Sequence, residues 1–332
     1  MSVAKKVLVV QGGPSSEAAV SRTSAASVAT ALTEAGFSVV RVELDTALPD
    51  AIRRENPAVI FPVTHGAVGE DGALQGLLEV YGVPYVGSAV RASANAMDKA
   101  TARQLFALAG LPCARGVELR PEGRGTVDPA AVLAALGSDV VVKPAESGSA
   151  LGIERLLGTD AAALGEALAR AFSLGAAVVV EQFVRGEETT CGVLHVDDQA
   201  IALPPTLIET PTDAFYSYEA RYQAGRSVHH CPPPYAPAVV ARLQEIAVLA
   251  HKMLGCRDLS RADFLVGDRQ DPASIVLLEV NTLPGFTGTS LFPEAAAVAG
   301  ISFPALCTRL VESALRRGAT AHTPVAAAVT DK

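Results

Sequence analysis

The sequence lacks the features that mark membrane, secreted and nucleic-acid-binding proteins. No apolar run approaches the length of a bilayer span, and the first residues lead into a strand without the apolar segment and cleavage site of a signal peptide. The five cysteines are scattered and odd in number, which favours a reduced, cytoplasmic chain over a disulfide framework. A formal charge of −8 argues against nucleic acid and against an anionic membrane surface as partners.

Two common nucleotide-binding signatures are absent as well. The chain has no G-x-x-x-x-G-K-[ST] loop, and the run from Gln11 to Glu17 after the first predicted strand does not have the spacing G-x-G-x-x-G. A standard P-loop NTPase and a standard dinucleotide-binding enzyme are therefore disfavoured. Zinc spacing is missing too, since His229, His230 and Cys231 are the nearest approach to it and lack a second pair of ligands.

The residues that are present describe a well-packed α/β protein. Hydrophobic residues make up 49% and charged residues 19% of the 332 positions, a length that suits two or three subdomains. Apolar strands alternate with amphipathic helices from the start. The pattern predicts strands at 6–10, 38–43, 58–64, 84–86, 115–119, 140–144, 177–183, 188–195, 200–208, 261–266 and 274–281, and helices at 16–35, 69–81, 92–98, 101–109, 129–136, 161–172, 237–254 and 303–316.

This order of elements predicts the domain organisation. Residues 1–87 are expected to form a doubly wound parallel-sheet domain, and residues 88–182 a second α/β unit. Residues 183–318 are richer in strands and form a third unit. The Ala- and Thr-rich segment 319–332 is expected to be a disordered tail.

Lysine is scarce, because only six of the 27 basic residues are lysines. Lys143 ends the apolar strand in "DVVVKPAESGSALGI" and precedes a loop of small residues, 147–152. Glycine and serine there leave backbone N–H groups open to an anion that the lysine would also attract, although an ordinary strand-end lysine fits the pattern too. Lys99, between two predicted helices, indicates nothing by itself.

The stretch "VVVEQFVRGEE" suggests a second part of a nucleotide site. A strand ends near Glu181 and continues through Gln182, Phe183 and Val184. Backbone N–H and C=O groups beside apolar side chains can pair with an adenine ring, and a carboxylate such as Glu188 can accept hydrogen bonds from ribose hydroxyls. Alone, this signal is weak.

The strongest local signal is a pair of strands in "LSRADFLVGDRQDPASIVLLEVN". Side chains alternate along a strand, so Arg261 and Asp263 share one face, as do Glu279 and Asn281. An antiparallel hairpin would bring the four together, and two carboxylates with an amide oxygen suit Mg²⁺. The arginine would then face charge that develops in phosphoryl or acyl transfer. A solvent-facing salt bridge is the alternative, which the apolar last strand disfavours.

Nine motifs occur in a fixed order along the chain: "GGPSSEAAVS", "THGAVGEDGALQGLLE", "GVPYVGS", "MDKATAR", "VVVKPAESGSALGI", "VEQFVRGEE", "FYSYEARY", "SRADF" and "LLEVNTLPGFTGTSLFP". Together they resemble the D-alanine–D-alanine ligases of the ATP-grasp superfamily over nearly the whole chain. The resemblance implies an ATP-grasp fold, in which an N-terminal doubly wound parallel-sheet domain precedes two α+β subdomains that clamp ATP. It also implies ligation of two D-alanines through an acyl phosphate, for peptidoglycan precursor synthesis, by a cytoplasmic homodimer. The implied cofactors are ATP and two Mg²⁺ ions, for which Mn²⁺ can substitute.

The resemblance also implies roles for individual residues. The ATP site would comprise Lys99, Lys143, Glu181, Gln182, Phe183, Val184, Glu188 and Phe215, and the metal ligands would be Asp263, Glu279 and Asn281. The catalytic residues would be Glu17, Ser149, Tyr222, Arg261 and Gly285, and the D-alanine site would comprise Glu17, His65, Arg221, Ser290 and Leu291.

Within these sets the implied chemistry is specific. Glu17 would accept the ammonium of the first D-alanine, with His65 nearby, and the N–H of Gly285 would stabilise an oxyanion together with an arginine. Ser290 and the N–H of Leu291 would bind the carboxylate of the second D-alanine. A triad of Glu17, Ser149 and Tyr222 would close the polar, aromatic segment 215–230 over the site as a lid.

Three residues depart from the family pattern. Ala150 replaces a second serine of the glycine-rich loop, Arg221 replaces a lysine, and Thr289 replaces a histidine that often precedes the second-substrate serine. Three alternatives therefore stay open: a related ligase with another acceptor (D-lactate, D-serine or an antibiotic precursor), a nucleotide-binding module without catalysis, and an NAD-dependent oxidoreductase. The last lacks the glycine fingerprint, and the full set of charged residues disfavours the second.

Overall fold

The computed structural model describes residues 4–120, 127–148, 150–210 and 226–319. The chain begins with three parallel strands, β1 (Lys6–Gln11), β2 (Ser38–Glu43) and β3 (Val59–Pro62), in the order β2-β1-β3. The central strand is apolar throughout and Val7 to Val10 are fully buried, as expected for a parallel strand covered on both faces. Helices α1 (Ala18–Glu34), α2 (Leu48–Glu55) and α3 (Ala73–Tyr81) surround it.

Four details of this unit differ from the sequence-based prediction. Helix α1 begins two residues late, because Glu17 is its N-cap, and α3 begins at Ala73 because Gly72 adopts a φ of +103°. The predicted strand 84–86 is only a single bridge between Ile60 and Tyr85. Helix α2, which has eight residues, was not predicted.

The second unit is a four-stranded antiparallel sheet in the order β4-β7-β5-β6. Alternate valines of its inner strands are buried against two helices, which is the period-2 pattern of a half-covered sheet. The three-residue strand β6 was not predicted. The elements are α4 (Val90–Met97), α5 (Lys99–Leu108), β4 (Gly116–Leu119), α6 (Pro129–Leu136), β5 (Val140–Pro144), β6 (Glu154–Leu156), α7 (Ala161–Phe172) and β7 (Val178–Gln182).

The third unit is a six-stranded antiparallel sheet. Its order is β11-β10-β8-β12-β13, and β9 pairs with the far end of β8. The predicted strand 200–208 is wrong, because Pro204 and Pro205 divide it into β9 and β10. Within the predicted lid, residues 228–230 form strand β11, and residues 211–225 lie outside the described part. The strands are β8 (Glu187–Val196), β9 (Gln199–Ala202), β10 (Thr206–Glu209), β11 (Val228–His230), β12 (Asp258–Val266) and β13 (Ile275–Asn281).

Three helices complete the described part of the fold. Helix α8 (Pro237–Leu254) buries a stripe of apolar residues at helical spacing against the third sheet. The unpredicted helix α9 (Leu291–Val298) leads to α10 (Phe303–Arg317), which packs on α1 in a core shared with β1. The end of the described chain thus lies against its beginning. Among the described residues no single helix is long and apolar enough to cross a membrane; α9 and α10 pass that test only as a pair bent by 103°.

A buried ionic cluster fastens the first unit to strand β12. Asp258 is 1% exposed and accepts hydrogen bonds from both terminal nitrogens of Arg317, at 2.7 and 2.8 Å. It also accepts from the N–H of Gly87 at 2.8 Å and from the Ser313 hydroxyl at 3.0 Å. The same arginine donates to the carbonyl of Tyr85. Four donors satisfy this buried charge, so the start of β12 is held rigidly.

Candidate active site

A cavity of about 760 Å³ lies between the second and third sheets. This volume is in the range of pockets that hold cofactors. Its lining includes the apolar side chains of Val141, Leu207, Ile208 and Leu278 as well as several charged groups. Eight residues predicted from the sequence line it: Lys99, Lys143, Glu181, Gln182, Phe183, Val184, Glu188 and Glu279.

The lysine at the end of β5 is held by a buried carboxylate. Lys143 donates from Nζ to Oε2 of Glu181 at 2.5 Å, across the pairing of β5 with β7. The other oxygen of that carboxylate accepts a hydrogen bond from Nη1 of Arg103. Lys143 is therefore part of an ion-paired cluster and not an exposed strand-end lysine. Arg103 is the last residue of the quoted motif "MDKATAR", but the sequence analysis assigned it no role.

The second predicted lysine connects the glycine-rich loop with the hairpin. Nζ of Lys99 donates to the carbonyl of Ser147 at 2.5 Å and lies 3.7 Å from a carboxylate oxygen of Glu279. Ala150, where the family pattern has serine, adopts a left-handed φ of 57° and lines the large cavity. The loop thus approaches the cavity at a position where this chain presents a methyl group.

The predicted hairpin is present, with the expected faces. Strands β12 and β13 are antiparallel, with Arg261 opposite Asn281 and Asp263 opposite Glu279, and a bulge follows Asp263. The carboxylate of Asp263 accepts two hydrogen bonds from Arg261, both at 2.8 Å. It accepts a third from the Asn281 amide at 3.1 Å and a fourth from the hydroxyl of Thr190 at 2.8 Å. Sequence reasoning missed the threonine, which comes from the adjacent strand β8.

The hairpin has the oxygen donors that a magnesium ion requires. Asp263 and Glu279 are a directly opposed cross-strand pair, so their carboxylates project from the same face, and Asn281 adds an amide on that face. Within the described ranges no group of three or more His, Cys, Asp or Glu side chains is arranged for a metal. The donor set therefore fits an ion that takes its remaining ligands from a phosphate group or water.

A narrow cleft of about 30 Å³ adjoins this hairpin. Lys99 and Glu279 line both the cleft and the large cavity, so the two spaces meet at these side chains. Glu70 also lines the cleft, and loss of water together with the carboxylates of Glu17 and Glu279 raises its pKa to about 8. The acidic run around this residue was part of a quoted motif, but the sequence did not single it out.

Two further predicted residues lie at the junction with the first unit. Glu17 is 6% exposed, and a Cβ placed on Gly148 would lie 3.5 Å from its carboxylate oxygen. His65 is also buried, and its Nε2 has no hydrogen-bond partner among the residues that the structure describes. Burial lowers the pKa of His65, Glu17 opposes that change, and Arg261 adds to it. A neutral histidine with an open ring nitrogen therefore faces this junction.

The loop after β13 leads into the N-terminus of helix α9, where Leu291 packs with the cavity-lining Ile208. Ser290 is the N-cap of α9, and Leu291 is the first helical residue, so its N–H group is not used within the helix. The hydroxyl of Ser290 lies 2.9 Å from the N–H of Thr287 and 2.8 Å from its hydroxyl. A Cβ on Gly285 would lie 2.7 Å from that serine oxygen, so a side chain here would displace the hydroxyl. The N–H of Leu291 can bind an anion.

Four predicted residues, Ser149, Phe215, Arg221 and Tyr222, lie outside the described residues. The histidine pair considered for zinc is occupied otherwise: Nδ1 of His229 lies 2.8 Å from Glu294, and Nε2 of His230 lies 3.1 Å from Glu209. The remaining predicted site residues surround the large cavity, the cleft and the helix N-terminus.

Two antiparallel sheets that enclose a nucleotide-sized cavity, with lysines and a carboxylate hairpin at one end, define an ATP-grasp enzyme. Solved structures support this class. A D-alanine–D-alanine ligase from Bacillus anthracis complexed with ATP matches with a TM-score of 0.79 and 28% identity, covering 95% of this chain and 98% of the other. The ligase from Coxiella burnetii matches with a TM-score of 0.77 and 27% identity, covering 94% and 96%.

Sequence comparisons identify the family. The model of the D-ala D-ala ligase C-terminus matches residues 105–312, and that of the N-terminus matches residues 46–88. A D-alanine–D-alanine ligase of Granulibacter bethesdensis is 43% identical over 94% of this chain and 99% of its own length. That of Acidiphilium cryptum is 42% identical over the same shares. The chain belongs to the D-alanine–D-alanine ligase family.

Proposed function

We propose that the protein joins two D-alanine molecules to D-alanyl-D-alanine and converts ATP to ADP and phosphate. The observation that carries this proposal is the meeting of the large cavity and the narrow cleft at Lys99 and Glu279. A nucleotide in the cavity would present its terminal phosphate at the hairpin, where the buried junction with the first unit can hold an amino acid. Membership of the family supports the choice of D-alanine.

In the cavity, adenine would lie against the apolar side chains of the lining and pair with the backbone at 182–184. Glu188 would accept hydrogen bonds from the ribose, and Lys99 and Lys143 would hold the phosphates. Asp263, Glu279 and Asn281 would hold Mg²⁺, which neutralises charge on the phosphates when bound. The support is that all these groups lie on the cavity or at the hairpin.

The first D-alanine would bind at the junction with the first unit. Glu17 would accept hydrogen bonds from its ammonium. Its carboxylate oxygen would attack the terminal phosphorus of ATP, which forms an acyl phosphate and releases ADP. Arg261 lies on the same face as the carboxylate pair and would stabilise charge on the transferred group. His65, kept neutral by burial, can hydrogen-bond to the substrate without repelling its ammonium.

The second D-alanine would bind with its carboxylate at the start of α9. Ser290 and the N–H of Leu291 would hold it there, and its neutral amine would attack the acyl carbon. The N–H of Gly285 would stabilise the oxyanion, the C–N bond would form, and inorganic phosphate would leave as the C–O bond to it breaks. Water must be excluded because it would hydrolyse the acyl phosphate.

Product analysis tests this function. The purified enzyme is given ATP, Mg²⁺ and D-alanine, and then D-alanine and D-lactate in equal supply between pH 6 and pH 9. D-alanyl-D-alanine should form with matching ADP release, and little ester should form at neutral pH. Two features of the sequence support this expectation. In the family resemblance, a tyrosine at position 222 goes with ligases that form an amide. The positive charge of Arg221 would lower the pKa of the attacking amine. Predominant ester at neutral pH, or no product from D-alanine alone, would refute the assignment.

Three properties belong to the same proposal and rest on the family resemblance: two Mg²⁺ ions, a cytoplasmic location and a homodimer. Light scattering of the purified protein tests the dimer. Metal titration of ADP release, starting from chelator-treated protein, tests the requirement for Mg²⁺ and its replacement by Mn²⁺.

A further inference from the structure

The carboxylate of Glu181 lies between two cations inside the protein. It is 5% exposed, Arg103 contacts one of its oxygens, and Lys143 contacts the other at 2.5 Å. The side chains of these two cations are themselves 17% and 12% exposed. A buried carboxylate needs at least one such partner, because an uncompensated charge in the interior is strongly destabilising.

The two cations reach this carboxylate from different spaces. Lys143 lines the large cavity and is open to a nucleotide, whereas Arg103 lines a separate groove of about 230 Å³ beside α5. Nη2 of Arg103 also donates to the carbonyl of Ala114 at 2.9 Å, which fixes its guanidinium. A nucleotide in the cavity would therefore meet the lysine and not the arginine.

A glycine on strand β4 leaves room for the guanidinium of this arginine. Gly116 on β4 is the direct cross-strand neighbour of Glu181. A Cβ at this position would lie 2.8 Å from Nη2 of Arg103 and 2.8 Å from the carbonyl oxygen of Val180. Any side chain at residue 116 would displace the guanidinium from the carboxylate, so the contact depends on glycine.

We propose that Arg103 is a positioning residue that holds the charge of Glu181 while Lys143 turns from this carboxylate to the phosphates of the nucleotide. The proposal rests on the function proposed above, in which Lys143 binds the phosphates. With Arg103 present, Lys143 can leave the buried carboxylate of Glu181, because the arginine still compensates its charge. Without it, the lysine is the only cation on the carboxylate among the residues that the structure describes, and the nucleotide must break a tighter pair.

The readout is the ratio of the dissociation constants of adenosine and ATP, measured by competition on the full-length protein with Mg²⁺ and without D-alanine. Adenosine has no phosphate and leaves the lysine where it is, so its affinity should hardly change. Arg103→Met should lower the preference for ATP by roughly tenfold or more, because part of a buried ionic interaction is lost. Arg103→Lys, which keeps the charge, should restore most of it.

Two further variants isolate the mechanism. In the double variant Arg103→Met with Glu181→Gln, the neutral amide no longer holds the lysine as an ion, and the preference for ATP should recover toward that of Glu181→Gln alone. Arg115→Met is the matched control: the side chain of this exposed arginine donates to the carbonyl of Ala135 and not to Glu181, and its loss should leave the ratio unchanged.

The outcomes separate the two proposals. If Lys143→Ala leaves the ratio unchanged, the lysine does not bind phosphate and the proposed function is at fault. If that variant lowers the ratio but Arg103→Met does not, or if Arg103→Met weakens adenosine and ATP equally, the role of Arg103 is refuted. Thermal unfolding accompanies each variant. If Arg103→Met does not fold, Arg103→Gln, which keeps a polar side chain without charge, should give the same loss of preference.

Discussion

The large cavity and the narrow cleft meet at two side chains, yet they are built differently. The cavity of about 760 Å³ is held open by the packing of two sheets, and much of its wall is backbone and apolar side chain. The cleft of about 30 Å³ is lined largely by polar and charged groups that contact one another, such as Lys99 and Glu279. We therefore expect the cavity to be largely preformed, with Lys143 as the group in it that exchanges its partner, whereas we expect several charged groups of the cleft to exchange partners when ligands arrive.

Strand β12, which supports the cleft, is held by buried contacts. Strand β12 carries Arg261 and Asp263 on the cleft face. The buried Asp258 anchors its start, and the hydroxyl of Ser260 lies 2.7 Å from Nδ1 of His251 on the opposite face. Because these contacts are buried, we expect the side chains on the cleft face to change partners while the strand itself stays in place.

Removing a metal ligand from the cleft should have the largest effect. Asp263→Asn and Glu279→Gln should each lower ADP formation by roughly 10³-fold or more, since a bound metal supplies several kcal/mol of charge stabilisation. The fold should be retained, as measured by circular dichroism. Asp268→Asn, in the exposed turn of the same hairpin, is the control and should keep normal turnover. Near-normal turnover of either cleft variant at ordinary Mg²⁺ would contradict the metal assignment.

Breaking the anchor of β12 should come next. Asp258→Asn should lower the free energy of unfolding by about 3–5 kcal/mol, because it leaves the partly buried Arg317 without its anion. Asparagine tolerates the φ of +62° at this position, so the change is mainly one of charge. The neighbouring exposed pair of Arg316 and Asp197 provides the comparison, and Asp197→Asn should cost less than about 1 kcal/mol. Urea unfolding measures both; equal losses would show that burial does not matter here.

Changing the preformed cavity should have a smaller effect than changing the cleft. Lys143→Ala should raise the KM for ATP and lower kcat, each by roughly tenfold, because a lysine on phosphate acts in the ground state and in the transition state. The KM for D-alanine should change little. Steady-state kinetics with ATP varied is the measurement, and Lys252→Ala on the exposed face of α8 is the control. Unchanged nucleotide kinetics would make Lys143 a purely structural residue.

The smallest effect concerns pH. His251 is buried against His195 and Ser260, and its pKa is lowered to about 3 by burial and by the neighbouring positive charges of His195 and Lys252, with the Cys256 backbone opposing. Its ordinary pKa is 6.5, so below that value the unfolded chain binds a proton that the folded chain does not. Stability is therefore fully present above pH 6.5 and falls toward pH 3.

Between pH 7 and pH 5 this histidine should account for a loss of about 2 kcal/mol in the free energy of unfolding. His251→Phe should flatten the dependence even if it lowers stability overall, and His230→Gln on the exposed strand β11 should not. Urea unfolding at a series of pH values provides the test. A pH dependence that is identical in wild type and His251→Phe would exclude the buried histidine as its source.

Local patterns predicted the long regular elements well. Strands β2 and β5 and helices α6, α7 and α8 lie where the sequence placed them, because their apolar periodicity is clear and their ends carry proline, glycine or aspartate signals. The elements α2, β6, β11 and α9 were missed, and the two strands among them have only three residues each, too few to show a period. The face shared by Asp263 and Glu279 was predicted correctly, because alternation along two paired strands is a local property.

The sequence by itself therefore determined which faces of the strands carry charge and which helices have an apolar stripe, because these depend on spacings of two to four residues. Only the tertiary structure decided which charges are paired. Arg103 reaches Glu181 across 78 positions, and Arg317 reaches Asp258 across 59. No local pattern marks such contacts. They follow from where sheets and helices pack, and it is the burial created by that packing that makes each pair necessary.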